Sequence, residues 1–294
     1  MPSRLFLLVL LLAAAPACSD APADDAAPTA AAPTEAPGPR LRGITLDAVE
    51  PPPPDLLPTL ADLGTDHLAL IPFAFQPAVD DPDLRMNPDA RWYTESDRGI
   101  RALARQADSL GMAVVLKPHV WIGHGEDAWS AHIGFGSESG WAEWERRYRR
   151  FALHYARLSE EVGAPLFVIG TELGRAVRER EAFWRGLIRE IRAVYGGRLT
   201  YAANWHADVE QVPFWDALDA VGVQAYFPLT EDAAPTRETL ERGWAEPLRT
   251  LEALHARTGK PVLFTEIGYR DVPYAAARPW EWPSDADDAL PTDA

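Results

Sequence analysis

The sequence predicts an α/β fold, a (β/α)8-type TIM barrel incomplete at its eighth strand. Three observations carry that prediction. Short apolar runs without alternation recur along the chain, as parallel strands buried on both faces require. Between most of them lie stretches with apolar residues at three- and four-residue spacing that close at glycine, as helices do. Seven strand candidates in this alternation favour a barrel over an open doubly wound sheet. No strand is followed by Gly-x-Gly-x-x-Gly, which sets a dinucleotide-binding sheet aside, and no phosphate-binding loop is visible.

In chain order, Leu41 to Leu46 is the first strand and Pro54 to Leu63 the first helix, closed by Gly64. His67 to Phe73 is the second strand, followed by a long polar loop. The second helix opens at Thr94, with Asp97 three residues on as a capping box, and carries Ile100, Leu103, Ala104, Ala107 and Leu110 on one stripe before Gly111. Met112 to Pro118 is the third strand and runs into a loop rich in glycine and tryptophan. Trp141 to Val162 is the third helix; its stripe of Trp141, Trp144, Tyr148, Phe151, Tyr155 and Leu158 is the kind that packs on a barrel wall. The fourth strand ends at Glu172, and the helix through Phe183 to Val194 stops at Gly196-Gly197. Arg198 to Ala203, Ala220 to Ala225 and Pro261 to Thr265 are the fifth, sixth and seventh strands. A helical stretch from Thr239 to Thr258 separates the last two, with Pro247 marking a break or kink. Residues 275–294, rich in proline and aspartate, hold no run of four apolar residues to serve as an eighth strand. Such a barrel leaves the first and seventh strands with unpaired edges.

The 294 residues, 47% hydrophobic and 24% charged, suit one large domain with extras. A formal charge of -16 disfavours a nucleic-acid partner, since that surface repels a phosphate backbone. Arg4, the apolar run Leu5 to Ala15, and Ala15-Pro16-Ala17-Cys18 read as an export signal too short for a permanent span. The segment resembles a bacterial lipoprotein signal: residues 1–17 would be removed and Cys18, the single cysteine, lipidated. Ordinary secretion is the alternative. Residues 19–40 hold 8 alanines and 5 prolines and read as an extended tether. The expected organisation is therefore signal 1–17, tether 18–40, barrel 41–278 and tail 279–294, with membrane contact through the lipid alone.

Two stretches share one form. Ala164-Pro-Leu-Phe-Val-Ile-Gly-Thr-Glu-Leu-Gly174 places Glu172 at a strand tip, and Lys260-Pro-Val-Leu-Phe-Thr-Glu-Ile-Gly-Tyr269 does the same for Glu266. Two carboxylates at the C-terminal ends of parallel strands are what a retaining glycosidase on a barrel needs, one as proton donor and one as nucleophile, with carboxyl groups roughly 5 to 5.5 Å apart. The plain alternative for each is an ion pair at a strand end. No His-x-His follows the first strand, and the spacing of the loop histidines fits no familiar metal motif, so no metal or cofactor is expected.

At these two strands the chain resembles the clan A glycoside hydrolases and, more narrowly, glycoside hydrolase family 113, the retaining β-mannanases. The matching stretches run in order from Leu116-Lys-Pro-His-Val120 through Trp144 to Tyr155, Val168-Ile-Gly-Thr-Glu-Leu173, Leu199-Thr-Tyr-Ala-Ala-Asn204, Phe214-Trp-Asp-Ala-Leu-Asp219 and Val221-Gly-Val-Gln-Ala-Tyr226 to Phe264-Thr-Glu-Ile-Gly-Tyr269. The resemblance implies Glu172 as acid/base, Glu266 as nucleophile, and a β-linked polysaccharide, foremost β-1,4-mannan, as substrate of an endo-acting enzyme. A non-catalytic carbohydrate-binding lipoprotein derived from such a barrel is the alternative. One departure is Thr171, where most of the clan has an asparagine for the sugar 2-hydroxyl.

Further candidates follow from position. Tyr226, at the tip of the sixth strand, could donate to Glu266. Asn204 and Trp205 end the fifth strand, where an amide can bind a hydroxyl and an indole can stack on a pyranose. Lys117 and His119 end the third; Lys117 reads equally as an ion-pair partner or a ligand. Trp121 and Trp129, in the following loop, are candidates for stacking on sugar, and Trp280 and Trp282 lie close enough behind the seventh strand to reach a cleft there.

Overall fold

The computed structural model describes residues 40–123, 129–206 and 208–281. The expected signal with Cys18, the tether up to residue 39, His124 and Trp282 lie outside them. The elements in order are β1 (Gly43–Leu46), α1 (Leu56–Asp62), β2 (His67–Leu70), β3 (Phe73–Gln76), β4 (Arg85–Met86), α2 (Asp97–Ser109), β5 (Ala113–Leu116), β6 (His119–Ile122), α3 (Glu138–Glu161), β7 (Leu166–Thr171), α4 (Gly174–Glu179), α5 (Glu181–Arg192), β8 (Arg198–Asn204), β9 (Val221–Gln224), α6 (Arg237–Gly243), α7 (Ala245–Thr258) and β10 (Val262–Glu266).

Seven strands form one parallel sheet in the order β1-β2-β5-β7-β8-β9-β10. The sheet is curled nearly into a barrel. Lys117, just past the third strand of that order, touches Glu266 on the seventh, and a flat sheet would hold them four strands apart. A small layer of Val115, Leu166, Val168 and Ala202 fills the inside, while the larger core lies between the strands and the outer helices. No strand joins β1 to β10 among the described residues. A cleft opens there, bordered by Gly43 and Thr45 on one side and Leu263 and Thr265 on the other. The seventh strand, expected to be fully buried, is half-buried along its whole length because it is an edge.

The outer wall is held largely by rings. Trp144 stacks on Tyr148 at 4.8 Å, and Trp184 stacks on Phe214 at 5.8 Å. Trp144 and Trp184 are fully buried, each worth about 1.5 to 3 kcal/mol relative to exposure. Their polar atoms are partnered, as burial demands: Trp144 Nε1 donates to Gln76 Oε1 at 3.0 Å and Tyr148 Oη to the Ile169 carbonyl at 2.9 Å.

Three departures from the expected elements have local causes. The second helix is capped by Ser96, whose hydroxyl accepts from Gly99 N at 3.1 Å, because the Thr94 hydroxyl is taken by the Ala48 amide at 3.0 Å. The stretch before the last strand divides at Trp244, so Pro247 falls in the first turn of α7, where its missing N–H costs little. Between β8 and β9 the crossover contains a single 3₁₀ turn, Trp215–Ala217, in place of a helix.

One feature was not expected at all. Beyond Pro72 and Pro118 the chain resumes as β3 and β6, which pair with each other in parallel, Phe73 opposite His119 and Phe75 opposite Trp121. With β4 on the far side of β3 they make a small second sheet standing outward from the barrel mouth.

Candidate active site

Glu172 follows β7 directly, past a register irregularity between Val168 and Thr171. Its φ of 51° is left-handed, which costs a residue with a Cβ about 1 to 2 kcal/mol. Three contacts hold it there: its own N–H donates to the Ala202 carbonyl at 2.9 Å, and its carbonyl accepts from Ser130 Oγ at 3.1 Å. The third is double, with Asn204 Nδ2 donating to Oε1 at 2.7 Å and Trp129 Nε1 donating to Oε2 at 2.9 Å. Burial raises the carboxyl above its ordinary value, the two donors pull it back, and the charge of Glu266 adds to the rise. The net direction is upward, toward a group that can hold a proton.

Glu266 closes β10 behind a similar irregularity, between Phe264 and Glu266, and its environment is the opposite. Lys117 Nζ donates to Oε1 and also to the Thr265 carbonyl at 3.2 Å, while Tyr226 Oη donates to Oε2 at 2.9 Å. Burial alone would push this carboxyl up. The Lys117 charge, joined by the Lys117 and Tyr226 hydrogen bonds, outweighs it and holds the group at about 2 against an ordinary 4.5. Burial likewise pulls the Lys117 ammonium below its ordinary 10.5, and the charge and hydrogen bond of Glu266 oppose that pull.

His119 completes the surroundings of Glu266. Burial first, then the Lys117 charge, hold its ring neutral, at about 3. Its Nε2 lies 3.9 Å from Glu266 Oε1 and has no hydrogen-bond partner among the described residues. An orphan ring nitrogen at that point is placed to meet a hydroxyl of something bound above Glu266. Thr171, by contrast, turns its hydroxyl inward to the Pro118 carbonyl at 3.5 Å.

The arrangement brings together Glu172, Glu266, Lys117, His119, Trp129, Asn204 and Tyr226 at one mouth. Lys117 is 1% exposed with its ammonium spent on Glu266, so it is an ion-pair partner and cannot reach a ligand without breaking that pair. Trp205 lies one step beyond Asn204 and stacks on Trp280 at 5.6 Å, which carries packed structure past residue 278 into the segment expected as a tail. Trp121 is 61% exposed on the outer sheet, clear of both carboxylates.

Sequence reasoning missed Ser130, and it missed a second carboxyl pair, Asp47 and Glu95. The Glu95 carboxyl is pushed to about 7 by burial and by the Asp47 charge, against a hydrogen bond from the Phe73 amide. Asp47 comes directly after the first strand as Glu172 comes directly after β7, which is the one signal that could have marked it. Among the described residues no group of three or more His, Cys, Asp and Glu could hold a metal ion, and no helix is long and apolar enough to cross a membrane.

A family profile described as Glycoside Hydrolase Family 113 matches residues 52–292. Among solved structures, the family 113 β-mannanase of Alicyclobacillus acidocaldarius in complex with ManMIm is similar at 29% identity and a TM-score of 0.65, over 78% of this chain and 68% of its own. Two structures described as family 113 β-1,4-mannanases are each 29% identical, with TM-scores of 0.59 and 0.60. They align with 70% and 71% of this chain, which spans 62% and 63% of their length. No curated protein matches the chain.

Proposed function

The chain belongs to glycoside hydrolase family 113, and from that premise we propose that it is a retaining endo-β-mannanase working by double displacement. The observation that carries the reading is the opposite tuning of two carboxyls at one mouth. Glu266 is held ionised by Lys117 and Tyr226, whereas Glu172 is pushed toward its protonated form by burial. Two acids driven apart in this way take different roles.

In the first half-reaction Glu172 gives its proton to the glycosidic oxygen as the C–O bond breaks, and Glu266 Oε attacks the anomeric carbon to form a glycosyl-enzyme ester. Glu172, now a carboxylate, takes a proton from a water that attacks the same carbon and releases Glu266, with net retention. The donors from Asn204 and Trp129 keep Glu172 from being a permanently neutral acid, which this second step needs. Tyr226 keeps Glu266 oriented for attack, and the His119 Nε2 is available to a hydroxyl of the reacting sugar.

The substrate assignment draws on the mannanase relatives, and the test is direct. Proton NMR during hydrolysis of mannohexaose should show the β-anomer as the first product, and Glu266→Gln should lower kcat by on the order of 10⁴ or more. Release of the α-anomer first would rule out double displacement. Should the wild type bind mannan without hydrolysing it, the carbohydrate-binding alternative takes its place. We also propose export and anchoring through a lipid on Cys18; Cys18→Ala should then move the protein from the membrane pellet to the soluble fraction.

A further inference from the structure

The outer sheet presents two faces of unequal character. Ala74, Gln76 and Val120 are buried on one, while Phe73, Phe75, His119 and Trp121 occupy the other, as the two-residue alternation of strands requires. Phe75 is 38% exposed and Trp121 61%. Large rings left in water on a short, rigid strand pair are unusual unless something covers them. Their neighbours show where that face leads. The Phe73 ring lies 5.4 Å from His119 and 6.1 Å from Trp121, and His119 is 3.9 Å from Glu266. The rings thus form an unbroken line from the nucleophile outward, with Trp121 about 7 Å beyond His119 along β6.

We infer that this face is a distal sugar-binding subsite: Trp121, flanked by Phe75, stacks on a pyranose of the same β-linked chain whose scissile bond lies between Glu172 and Glu266. The inference rests on the reading of the cleft as a glycan-hydrolysing site. Continuity with the nucleophile selects the occupant, because a glycan seated over Glu266 and extending past His119 runs directly onto these rings. A pyranose face offers C–H groups to an indole and hydroxyls to water, which suits a ring that is half covered and half wet. Phe75 is itself fixed from below: a Cβ at Gly123 would fall 2.6 Å from its ring, so only glycine there leaves the ring in place.

Such a subsite makes the enzyme sensitive to chain length. In Trp121→Ala, and separately in Phe75→Ala, the ratio of kcat/KM on mannohexaose to that on mannotriose should fall by about 3- to 10-fold, and Trp121→Phe should recover most of it. A wild type active on mannohexaose with the same ratio in all three variants overturns the inference and leaves the hydrolase reading standing. A wild type inactive on every glycan sinks the hydrolase reading, and affinity electrophoresis through mannan then decides the subsite by itself. Retardation of the wild type that is lost in Trp121→Ala supports it; equal or absent retardation overturns it. Thermal melts that match the wild type show that the variants are folded.

Discussion

The Lys117–Glu266 pair gives the sharpest prediction, and Lys117→Met is its perturbation. Methionine keeps most of the buried stem and removes only the charge. Glu266 lies at about 2 in place of 4.5, which at about 1.36 kcal/mol per pH unit corresponds to about 3 kcal/mol favouring the ionised form. Without Lys117, burial is opposed only by His119 and Tyr226, and the carboxyl should rise from about 2. The assay is kcat/KM against pH on an aryl mannobioside with a good leaving group. The acid limb reports the free enzyme's Glu266 and should move upward from about 2. Stability follows in a definite direction. Because Glu266 sits below its ordinary value when folded, the stability its ionisation contributes is present above pH 4.5 and lost as the pH falls toward 2. Lys117→Met should forfeit it, and stranding a carboxylate that is only 14% exposed should cost about 3 to 5 kcal/mol near neutrality. Adding Glu266→Gln should return much of that loss. An acid limb that stays put in a folded Lys117→Met protein would refute the claim that this lysine sets the charge of Glu266.

Other outcomes follow from the remaining contacts. Glu172→Gln should lower turnover of unactivated mannan by about 10² to 10⁴ while sparing glycosylation by an activated aryl glycoside, and equal losses on both would deny it the acid role. Trp129→Phe keeps the ring but removes the donor to Glu172 Oε2, so Glu172 should rise further and the basic limb of kcat/KM should move to higher pH; a basic limb that falls or does not move contradicts the hydrogen bond. Glu95, raised to about 7, binds its proton more tightly folded than unfolded, so stability should decline as the pH rises from 4.5 through 7. Glu95→Gln should remove that decline, worth about 1 to 2 kcal/mol after allowing for partial exposure, and melts at pH 5 and pH 8 that separate the wild type and the variant equally would show that Glu95 is not its source.

Much of the barrel was legible because its signals are local. A run such as Leu166–Ile169 is apolar throughout and reads as a strand with both faces covered, and α3 declares itself by a ring every three or four residues. The outer sheet was not legible for the opposite reason. Phe73–Gln76 and His119–Ile122 are four residues each and become strands only by pairing with each other across 46 positions of sequence. Thr94 shows the same limit on a smaller scale: its sequence context suits a helix cap, but a hydroxyl has one best partner, and the fold brought Ala48 to it first. Trp280 looked like tail by composition, and Trp205 is what gives it a place.

By itself the sequence determined the kind and order of the strands and that Glu172 and Glu266 each stand at the C-terminal end of one, since both are consequences of hydrophobic pattern and chain position. What only the tertiary structure decided is why the two carboxyls are pushed in opposite directions. That depends on Lys117 meeting Glu266 from 149 positions away and on Asn204 and Trp129 meeting Glu172. A carboxyl's affinity for a proton is set by the burial and charge around it, and neither exists until the sheet has curled.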